Sequence, residues 1–297
     1  MEECRICPRN CGADRKRSKT GVCRETDRLR IARAALHMWE EPCISGKEGS
    51  GTVFFTGCNL RCVYCQNYEL SRSRTGKEIT ESRLADIFLE LQDKGANNIN
   101  LVTPTHFVPQ IVRALQSAKS QGLCIPTVYN SSGYECADSL KRLEGLADIY
   151  LPDFKYWKSE TAGRYSSAVD YPVFARKAVE EMVRQTGTPA FDERGMMTKG
   201  VIVRHLLLPG KLSEAKEIVK YLYGTYGGRI YMSLMNQYTP LATLDRQQFP
   251  ELARRVTKRE YEKLINYAIE LGVEHAFVQE GETAEESFIP DFTLEGV

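Results

Sequence analysis

The sequence predicts an α/β fold in the form of a full or partial (β/α) barrel, with a doubly wound sheet as the less favoured alternative. After residue 45, short apolar or β-branched runs alternate with amphipathic segments. Such runs are typical of strands that are buried on both faces of a parallel sheet. The expected strands are residues 52–55, 98–102, 125–130, 148–151, 201–207, 230–234 and 275–278.

The segments between these strands have helical periodicity. The first places four apolar side chains on one helical face, namely Leu84, Ile87, Phe88 and Leu91. Near the end of the chain, Thr257 and Glu260 have capping-box spacing ahead of a helix over residues 261–271. Either fold places its functional site at the C-terminal ends of the strands, so we look for site residues there.

Composition excludes several classes of function. The chain has 297 residues, of which 42% are hydrophobic and 27% are charged, as in globular proteins with a substantial core. A formal charge of +1 gives no reason to expect a nucleic acid or an acidic membrane as partner. No apolar stretch approaches the ~18–20 residues of a spanning helix. The first residues lack a targeting pattern, so we expect a cytoplasmic location.

Ten cysteines are the most informative feature of the composition. Four of them lie in the first 23 residues, at Cys4, Cys7, Cys11 and Cys23. Four thiolates can close a structural zinc site or hold an auxiliary [4Fe–4S] cluster, and spacing does not separate the two. Residues 1–45 are therefore expected to form a small metal-binding segment beside a barrel domain over 46–297. Three isolated cysteines, Cys43, Cys124 and Cys136, are expected to be buried core residues.

A second cysteine group directly follows the first predicted strand. Cys58, Cys62 and Cys65 have the spacing Cys-x3-Cys-x2-Cys. Thiolates are the usual ligands of iron–sulfur clusters, and three ligands on four irons leave one iron open for a substrate or cofactor. A structural zinc site normally takes four ligands. Tyr64, just before the third cysteine, can offer a flat face to a purine.

This loop resembles the signature of the radical S-adenosylmethionine (SAM) superfamily. The resemblance implies a partial (β/α)6-type TIM barrel and a [4Fe–4S] cluster on Cys58, Cys62 and Cys65. It also implies that the open iron chelates SAM, and that reductive cleavage gives methionine and a 5′-deoxyadenosyl radical that abstracts hydrogen. Such an oxidoreductase needs an electron donor of the flavodoxin or ferredoxin type.

Within the superfamily, the chain is most similar to the activating enzymes of glycyl radical enzymes. It resembles a pyruvate formate-lyase activase-like branch with an N-terminal Cys-x-x-Cys-Pro-Arg-x-Cys-Gly motif. The residues Glu40 to Gly46 also look like that branch. A protein or peptide substrate is implied, either a backbone glycine of a partner or a peptide side chain.

The resemblance extends to residues at five further strand ends, which are expected to contact SAM. They are Thr103 and Thr105, Asn130 and Ser131, Asp153 and Lys155, Arg204, and Gln237. Relatives carry Gly-Gly-Glu near Thr103, so the contact with the SAM amine must differ here. Strand alternation allows only one of Arg204 and His205 to face the interior, and we expect Arg204. The pair Asp153 and Lys155 could instead be a surface ion pair.

Two alternatives stay open at this point. The enzyme could act on a small molecule instead of a polypeptide. The chain could also be a non-catalytic iron–sulfur or zinc scaffold. Formation of 5′-deoxyadenosine by the reduced protein in the presence of SAM separates an enzyme from a scaffold.

Overall fold

The strands of the chain form one large sheet. The structure is a computed structural model that describes residues 4–72, 75–279, 290 and 292–297. Its strands are β1 Leu29–His37, β2 Ser50–Phe55, β3 Lys77–Ile79, β4 Ile99–Val102, β5 Thr127–Ser131, β6 Ile149–Pro152, β7 Ala190–Phe191, β8 Met197–Leu206, β9 Tyr231–Met235 and β10 Ala276–Val278. They follow the order β10-β9-β8-β6-β5-β4-β2-β1-β3, and β7 pairs with β8. The path from β2 through β4, β5, β6, β8 and β9 to β10 is parallel throughout. This arrangement confirms the predicted α/β fold of the partial barrel type.

The seven predicted strands are all present within a few residues of their expected bounds. The helices are α1 Pro42–Ser45, α2 Tyr68–Arg72, α3 Glu81–Asp93, α4 Val108–Ser120, α5 Ala137–Lys141, α6 Ser159–Ser166, α7 Tyr171–Thr186, α8 Leu212–Tyr226 and α9 Lys258–Glu270.

Helices cover the outer face of the sheet and form the main core with it. Outward-facing strand residues such as Val53, Leu101 and Tyr129 are fully buried in this cluster. The predicted face of α3 lies in the same cluster. At α9, Thr257 and Glu260 form the predicted capping box. No helix of the described residues is long and apolar enough to cross a membrane.

Strand β1 lies within the segment that was expected to stand apart from the barrel. It pairs antiparallel with β2, from Ile31 opposite Phe55 to His37 opposite Ser50, and Ile31 is fully buried. Residues 29–37 are thus part of the main sheet, and α1, which follows them, also packs against barrel strands. The expectation that all of residues 1–45 would form an appendage was wrong on this point.

Helix α1 closes the lower end of the barrel, where the parallel strands begin. Cys43 and Ile44 pack against Val128, Leu151 and Ile202 in an apolar cluster separate from the main core. Two asparagines directly before β4 donate hydrogen bonds to the backbone of this helix. Asn98 Nδ2 donates to the Ile44 carbonyl at 2.7 Å, and Asn97 Nδ2 donates to the Ser45 carbonyl at 2.7 Å. The helix therefore forms a floor beneath the strand ends, where the functional site is expected.

The isolated cysteines do not all behave as expected. Cys43 is buried in this floor, as predicted. Cys124 is exposed and Cys136 is half-buried, so the prediction was wrong for Cys124. Cys124 lies in the exposed segment between α4 and β5, where its amide donates to Gln92 Oε1 at 2.8 Å.

Candidate functional site

A cavity of about 360 Å³ lies at the C-terminal ends of the parallel strands. Its volume is within the usual range of small-molecule sites. Cys58, Cys62 and Cys65 line it on one side. All the predicted SAM-contacting residues line it too, with the exception of Thr105. One cavity thus brings the three thiols together with the strand ends of β4, β5, β6, β8 and β9.

The three thiols lie on a loop, here called the cluster loop, that comprises residues 58–65. The loop is fixed from outside the cavity, because Asn59 Nδ2 donates to the Tyr134 carbonyl at 2.7 Å and the Val63 amide donates to the Tyr165 carbonyl at 2.9 Å. Burial raises the pKa of the Cys58 thiol to about 12, and the neighbouring Cys65 adds to the rise. Such thiols ionise only when a cation offsets the buried charge.

Tyr64 is part of a group of buried aromatic rings behind the cluster loop. Its ring makes edge contacts with the rings of Tyr156, Tyr165 and Tyr238, with centroids 6.1 to 6.4 Å apart. Edge-to-face packing of this kind fixes the orientation of a ring. Tyr64 therefore presents a rigid surface to the cavity, as its predicted contact with a purine requires.

The ends of β5 and β6 bring an ammonium group to the cavity. Lys155 Nζ lies 2.6 Å from Asp153 Oδ2, and both side chains are mostly buried. Burial disfavours the charged form of Lys155, but Asp153 and the cysteines Cys62 and Cys65 more than offset it and raise the pKa of Lys155. The pair is not a surface ion pair. It lies inside the cavity beside the thiols.

A close backbone approach fixes the position of Asp153. Gly133 has φ +71°, and a Cβ at this position would lie 2.1 Å from the Asp153 carbonyl oxygen. Only glycine fits there. The Tyr171 hydroxyl shares its one proton between the Ser132 and Asp153 carbonyls, at 2.9 and 3.0 Å, and accepts from the Lys155 amide at 2.9 Å. The ends of β5 and β6 are thus locked to each other.

On β8, Arg204 faces the cavity, as strand alternation predicted, and His205 faces outward. Arg204 is not free to bind a ligand carboxylate by itself. Its Nε donates to Glu41 Oε1 at 2.8 Å, and its Nη2 contacts both Glu41 and Glu40. Burial opposes ionisation of Glu41, but Arg204 more than offsets it and holds the pKa of that carboxyl below its usual value.

Glu40 and Glu41 were not predicted as site residues. They immediately precede α1, line the cavity and place two carboxylates on its floor. Asn100 Nδ2 donates to Glu40 Oε1 at 2.7 Å, which anchors the floor to β4. The signal that could have identified them is the resemblance of residues 40–46 to the activase-like branch.

Gln237 follows β9 and lines the cavity within a group of glutamine side chains. Gln279 Nε2 donates to Gln237 Oε1 at 2.9 Å, and Gln66 Nε2 donates to the Gln237 carbonyl at 3.0 Å. Gln66 directly follows the cluster loop, so these bonds link that loop to the end of β9. Gln66 and Gln279 were also absent from the prediction.

Of the two site residues predicted near the end of β4, one lines the cavity and the other does not. Thr103 lines the cavity with φ +60°, a conformation that is rare for a β-branched residue. Thr105 does not line it, which corrects the prediction: its hydroxyl is buried and donates to Glu135 Oε1 at 2.6 Å. His106 neither lines the cavity nor caps a helix, because its Nε2 contacts the Thr56 carbonyl at 2.7 Å.

Glu135 is a buried carboxyl that no motif of the sequence indicates as a site residue. Burial raises its pKa to about 7, against the effect of hydrogen bonds from Thr105, Ser131 and Tyr129. Ser131 lines the cavity, so Glu135 supports the end of β5 through its hydrogen bond with Ser131.

The N-terminal cysteines lie directly behind the cluster loop. Gly57 has φ +77°, and a Cβ there would lie 2.5 Å from the Cys23 carbonyl oxygen. Cys7 and Cys23 are buried, whereas Cys4 is half-buried and Cys11 is exposed. Burial, with contributions from Cys23, Glu135 and Cys4, raises the pKa of Cys7 to about 12. Within residues 4–72, 75–279, 290 and 292–297, no group of three or more His, Cys, Asp or Glu side chains is placed so that it could hold one metal ion.

The residues around the cavity suit the two cofactors that the resemblance implies. Three thiols on one wall match a cluster with an open iron, since cluster thiolates bind different irons and need not surround one ion. The ammonium of Lys155, the amide of Asn130 and the ring of Tyr64 are chemically suited to a carboxylate, a polar group and a purine.

Comparison with known proteins agrees with this chemistry. Residues 52–189 match the family model of the Radical SAM superfamily. The chain is 28% identical over 277 residues to the uncharacterised protein MJ0674 of Methanocaldococcus jannaschii, which covers 90% of this chain and 75% of that protein.

Two solved structures of SuiB from Streptococcus suis have a similar fold. The SAM-bound structure has a TM-score of 0.52 and 12% identity over 75% of this chain and 48% of SuiB. The structure bound to the precursor peptide SuiA has a TM-score of 0.50 and 13% identity over 75% of this chain and 46% of SuiB. This chain therefore spans about half the length of SuiB. Residues 52–189 match the Radical SAM superfamily, for which a [4Fe–4S] cluster and SAM are the cofactors.

Proposed function

We propose that Cys58, Cys62 and Cys65 hold the [4Fe–4S] cluster and that SAM binds in the cavity beside them. The observation that carries this proposal is the single cavity that joins the three thiols to the ends of five parallel strands. A bound cluster that has been reduced by one electron would supply that electron to SAM, which then gives methionine and a 5′-deoxyadenosyl radical. An electron donor of the flavodoxin or ferredoxin type supplies that electron.

The residues of the chain bind and orient SAM in this proposal. Lys155 offers a fixed positive charge to the SAM carboxylate, as a compact cation does well. Asn130, Ser131 and Thr103 offer polar groups to the methionyl part. Tyr64 packs against the adenine, and Gln237 contacts the ribose. Arg204 is paired with Glu40 and Glu41 on the cavity floor, so it does not contact SAM as an unpaired cation.

For the substrate, we propose a protein or peptide from which the radical abstracts a hydrogen atom. Trp39 lines the cavity although it is 57% exposed, and the half-exposed Val278 lines it too. Such an apolar rim suits a polypeptide segment. SuiB, whose fold is similar, is described in complex with a precursor peptide. Activation of a glycyl radical enzyme is one version of this proposal, supported by the resemblance to the activases.

The experiment compares two sets of three cysteines in anaerobically reconstituted protein. Changing Cys58, Cys62 and Cys65 to Ala should remove about four irons with matching sulfide and abolish 5′-deoxyadenosine formation. The matched control changes Cys43, Cys124 and Cys136 to Ala, which removes the same number of thiols. The control should keep the iron, the sulfide and the SAM cleavage of the wild-type chain.

Full iron and sulfide in the first triple variant would refute the ligand assignment. A wild-type chain that binds the cluster yet forms no 5′-deoxyadenosine would favour a non-catalytic iron–sulfur scaffold. If cleavage occurs but deuterium from labelled peptides never enters 5′-deoxyadenosine, a small-molecule substrate becomes the better proposal.

We further propose that Cys4, Cys7, Cys11 and Cys23 form a second metal site, separate from the SAM cluster. The support is the position of Cys7 and Cys23 in a buried region behind the cluster loop. Four thiols are a donor set for either zinc or an auxiliary cluster, and in either case the thiols must close around the metal when it binds. In this proposal the metal-binding segment comprises the residues before β1, because β1 pairs with β2 in the main sheet.

A further inference from the structure

The side chain of Arg9 joins the N-terminal segment to the cluster loop. Its Nε donates to the Asn59 carbonyl at 2.8 Å, and its Nη2 donates to the Leu60 carbonyl at 3.1 Å. On its other side, Nη2 donates to the Ser166 carbonyl at 2.7 Å, and Nη1 donates to the Ser167 carbonyl. One guanidinium thus binds four backbone carbonyls, two on the cluster loop and two at the C-terminal end of α6.

The two loop carbonyls belong to peptide groups that face Cys58. The Leu60 amide nitrogen, in the peptide group of the Asn59 carbonyl, lies 3.3 Å from Cys58 Sγ. The Arg61 amide, in the peptide group of the Leu60 carbonyl, also donates to this thiol. In a planar trans peptide, the C=O and N–H bonds point in opposite directions. By binding both carbonyls, Arg9 therefore directs both N–H groups toward the sulfur.

We infer that Arg9 is a positioning residue that holds two peptide N–H groups against Cys58 Sγ. The inference rests on the proposed role of Cys58 as a cluster ligand. Hydrogen bonds to ligand sulfurs are among the factors that set the reduction potential of an iron–sulfur cluster, and outer-shell partners also affect metal retention. Arg9 thus acts on the cluster through the backbone and without touching a ligand.

Lysine cannot take this role, although it keeps the charge. The guanidinium is a planar fork with five N–H donors, whereas the ammonium of lysine is a compact point charge. A lysine at position 9 has three rotatable donors on one atom, so it does not hold the two loop carbonyls in a fixed orientation. Comparing Arg9→Lys with Arg9→Gln therefore separates the effect of geometry from the effect of charge.

The test begins with the cluster-free protein and measures amide hydrogen exchange at Leu60 and Arg61. We expect exchange about 10-fold faster in both Arg9→Gln and Arg9→Lys, because the peptide groups lose their fixed orientation. In the reconstituted protein, a chelator should remove iron about 10-fold faster from both variants. Their midpoint potentials should be more negative than that of the wild-type chain, since fewer N–H groups face the sulfur.

Arg17→Gln is the matched control, because Arg17 is an exposed arginine of the same segment that pairs with Asp14. It should match the wild-type chain in all three measurements. Wild-type exchange and iron release in Arg9→Gln would overturn the inference, and so would wild-type values in Arg9→Lys, since charge alone would then suffice. If circular dichroism shows that Arg9→Gln does not fold, Arg9→Lys carries the test. Failure of the wild-type chain to bind a cluster refutes the proposed function instead, while the exchange measurement still decides the role of Arg9.

Discussion

At the scale of single residues, Asp153 and Lys155 show how far sequence patterns reach. Because both follow a predicted strand, we expected their side chains at the site, and both line the cavity. The structure adds that their charged groups are 2.6 Å apart. Thr105 shows the limit. It is next but one to Thr103 in sequence, yet the chain turns at the positive φ of Thr103 and directs Thr105 to the buried Glu135. Side-chain direction after a strand depends on backbone turns that periodicity does not reveal.

The role of Lys155 can be tested by its charge. Lys155→Ala should weaken SAM binding by about 10–100-fold, because a charge-assisted contact in a buried site typically contributes a few kcal/mol. Cluster content should stay unchanged. Equilibrium binding of SAM to the reconstituted protein measures the effect.

Lys119→Ala is the control for this variant. Lys119 lies 4.0 Å from Asp148 at the opposite end of β6, so it is an equivalent Asp–Lys pair away from the cavity. It should bind SAM as the wild-type chain does. Equal SAM affinities in the two variants would show that Lys155 does not contact SAM.

At the scale of secondary structure elements, the parallel strands were predictable and β1 was not. The parallel strands are apolar runs because helices cover them. Strand β1 carries Arg30 and Arg33 between its buried residues, and a register shift between Ile31 and Arg33 breaks its alternation. Arg30 is paired with Glu78 at 2.5 Å and Arg33 with Glu295 at 2.6 Å. Such pairs join residues far apart in sequence, so a local pattern cannot show that these charges are accommodated in a sheet.

The N-terminus of α9 gives a prediction that depends on pH. Glu260 accepts from Arg254 Nη2 at 2.8 Å and from the Thr257 amide at 2.9 Å, and Arg254 is the main cause that lowers the pKa of Glu260. A lowered pKa means that this carboxylate stabilises the fold above the unfolded-state value of about 4.3, and that the contribution declines as the pH falls. Glu260→Gln should therefore cost about 1 kcal/mol at pH 7 and less at pH 3.

Urea unfolding of the cluster-free protein at the two pH values measures this difference. Glu262→Gln serves as the control, because Glu262 is exposed on the same helix and its nearest cation, Lys258, is 3.8 Å away. A Glu260→Gln cost that does not shrink at low pH would show that the ionised carboxylate is not responsible.

At the scale of the whole molecule, the N-terminal segment is packed against the barrel instead of extending from it. Arg15 is buried and donates to the His106 carbonyl at 2.6 Å, and Ser139 Oγ donates to the Ile6 carbonyl at 2.5 Å. The cysteine spacing predicted a metal-binding segment, but spacing carries no information on where that segment docks. Its contact with the cluster loop became visible only in three dimensions.

Metal analysis tests the proposed N-terminal site. Protein purified without reconstitution should contain either about one zinc or about four irons beyond those of the SAM cluster. Cys7→Ser should remove that metal and make the residues before β1 sensitive to protease. The barrel should remain folded by circular dichroism, because its core does not depend on a small segment. Four freely alkylated N-terminal thiols in the folded wild-type chain would refute the second site.

The floor formed by α1 has a consequence for the order of events during turnover. Since Ile44 and the carboxylates of Glu40 and Glu41 close the barrel from below, molecules reach the cavity from the side of the strand ends. SAM occupies the deepest position in the proposed arrangement, so it must enter before a polypeptide substrate covers it. Methionine and 5′-deoxyadenosine then leave by the path that the substrate used. The proposed reaction should accordingly have ordered sequential kinetics, in which SAM binds first and the polypeptide second. The polypeptide then leaves before methionine and 5′-deoxyadenosine are replaced by a new SAM.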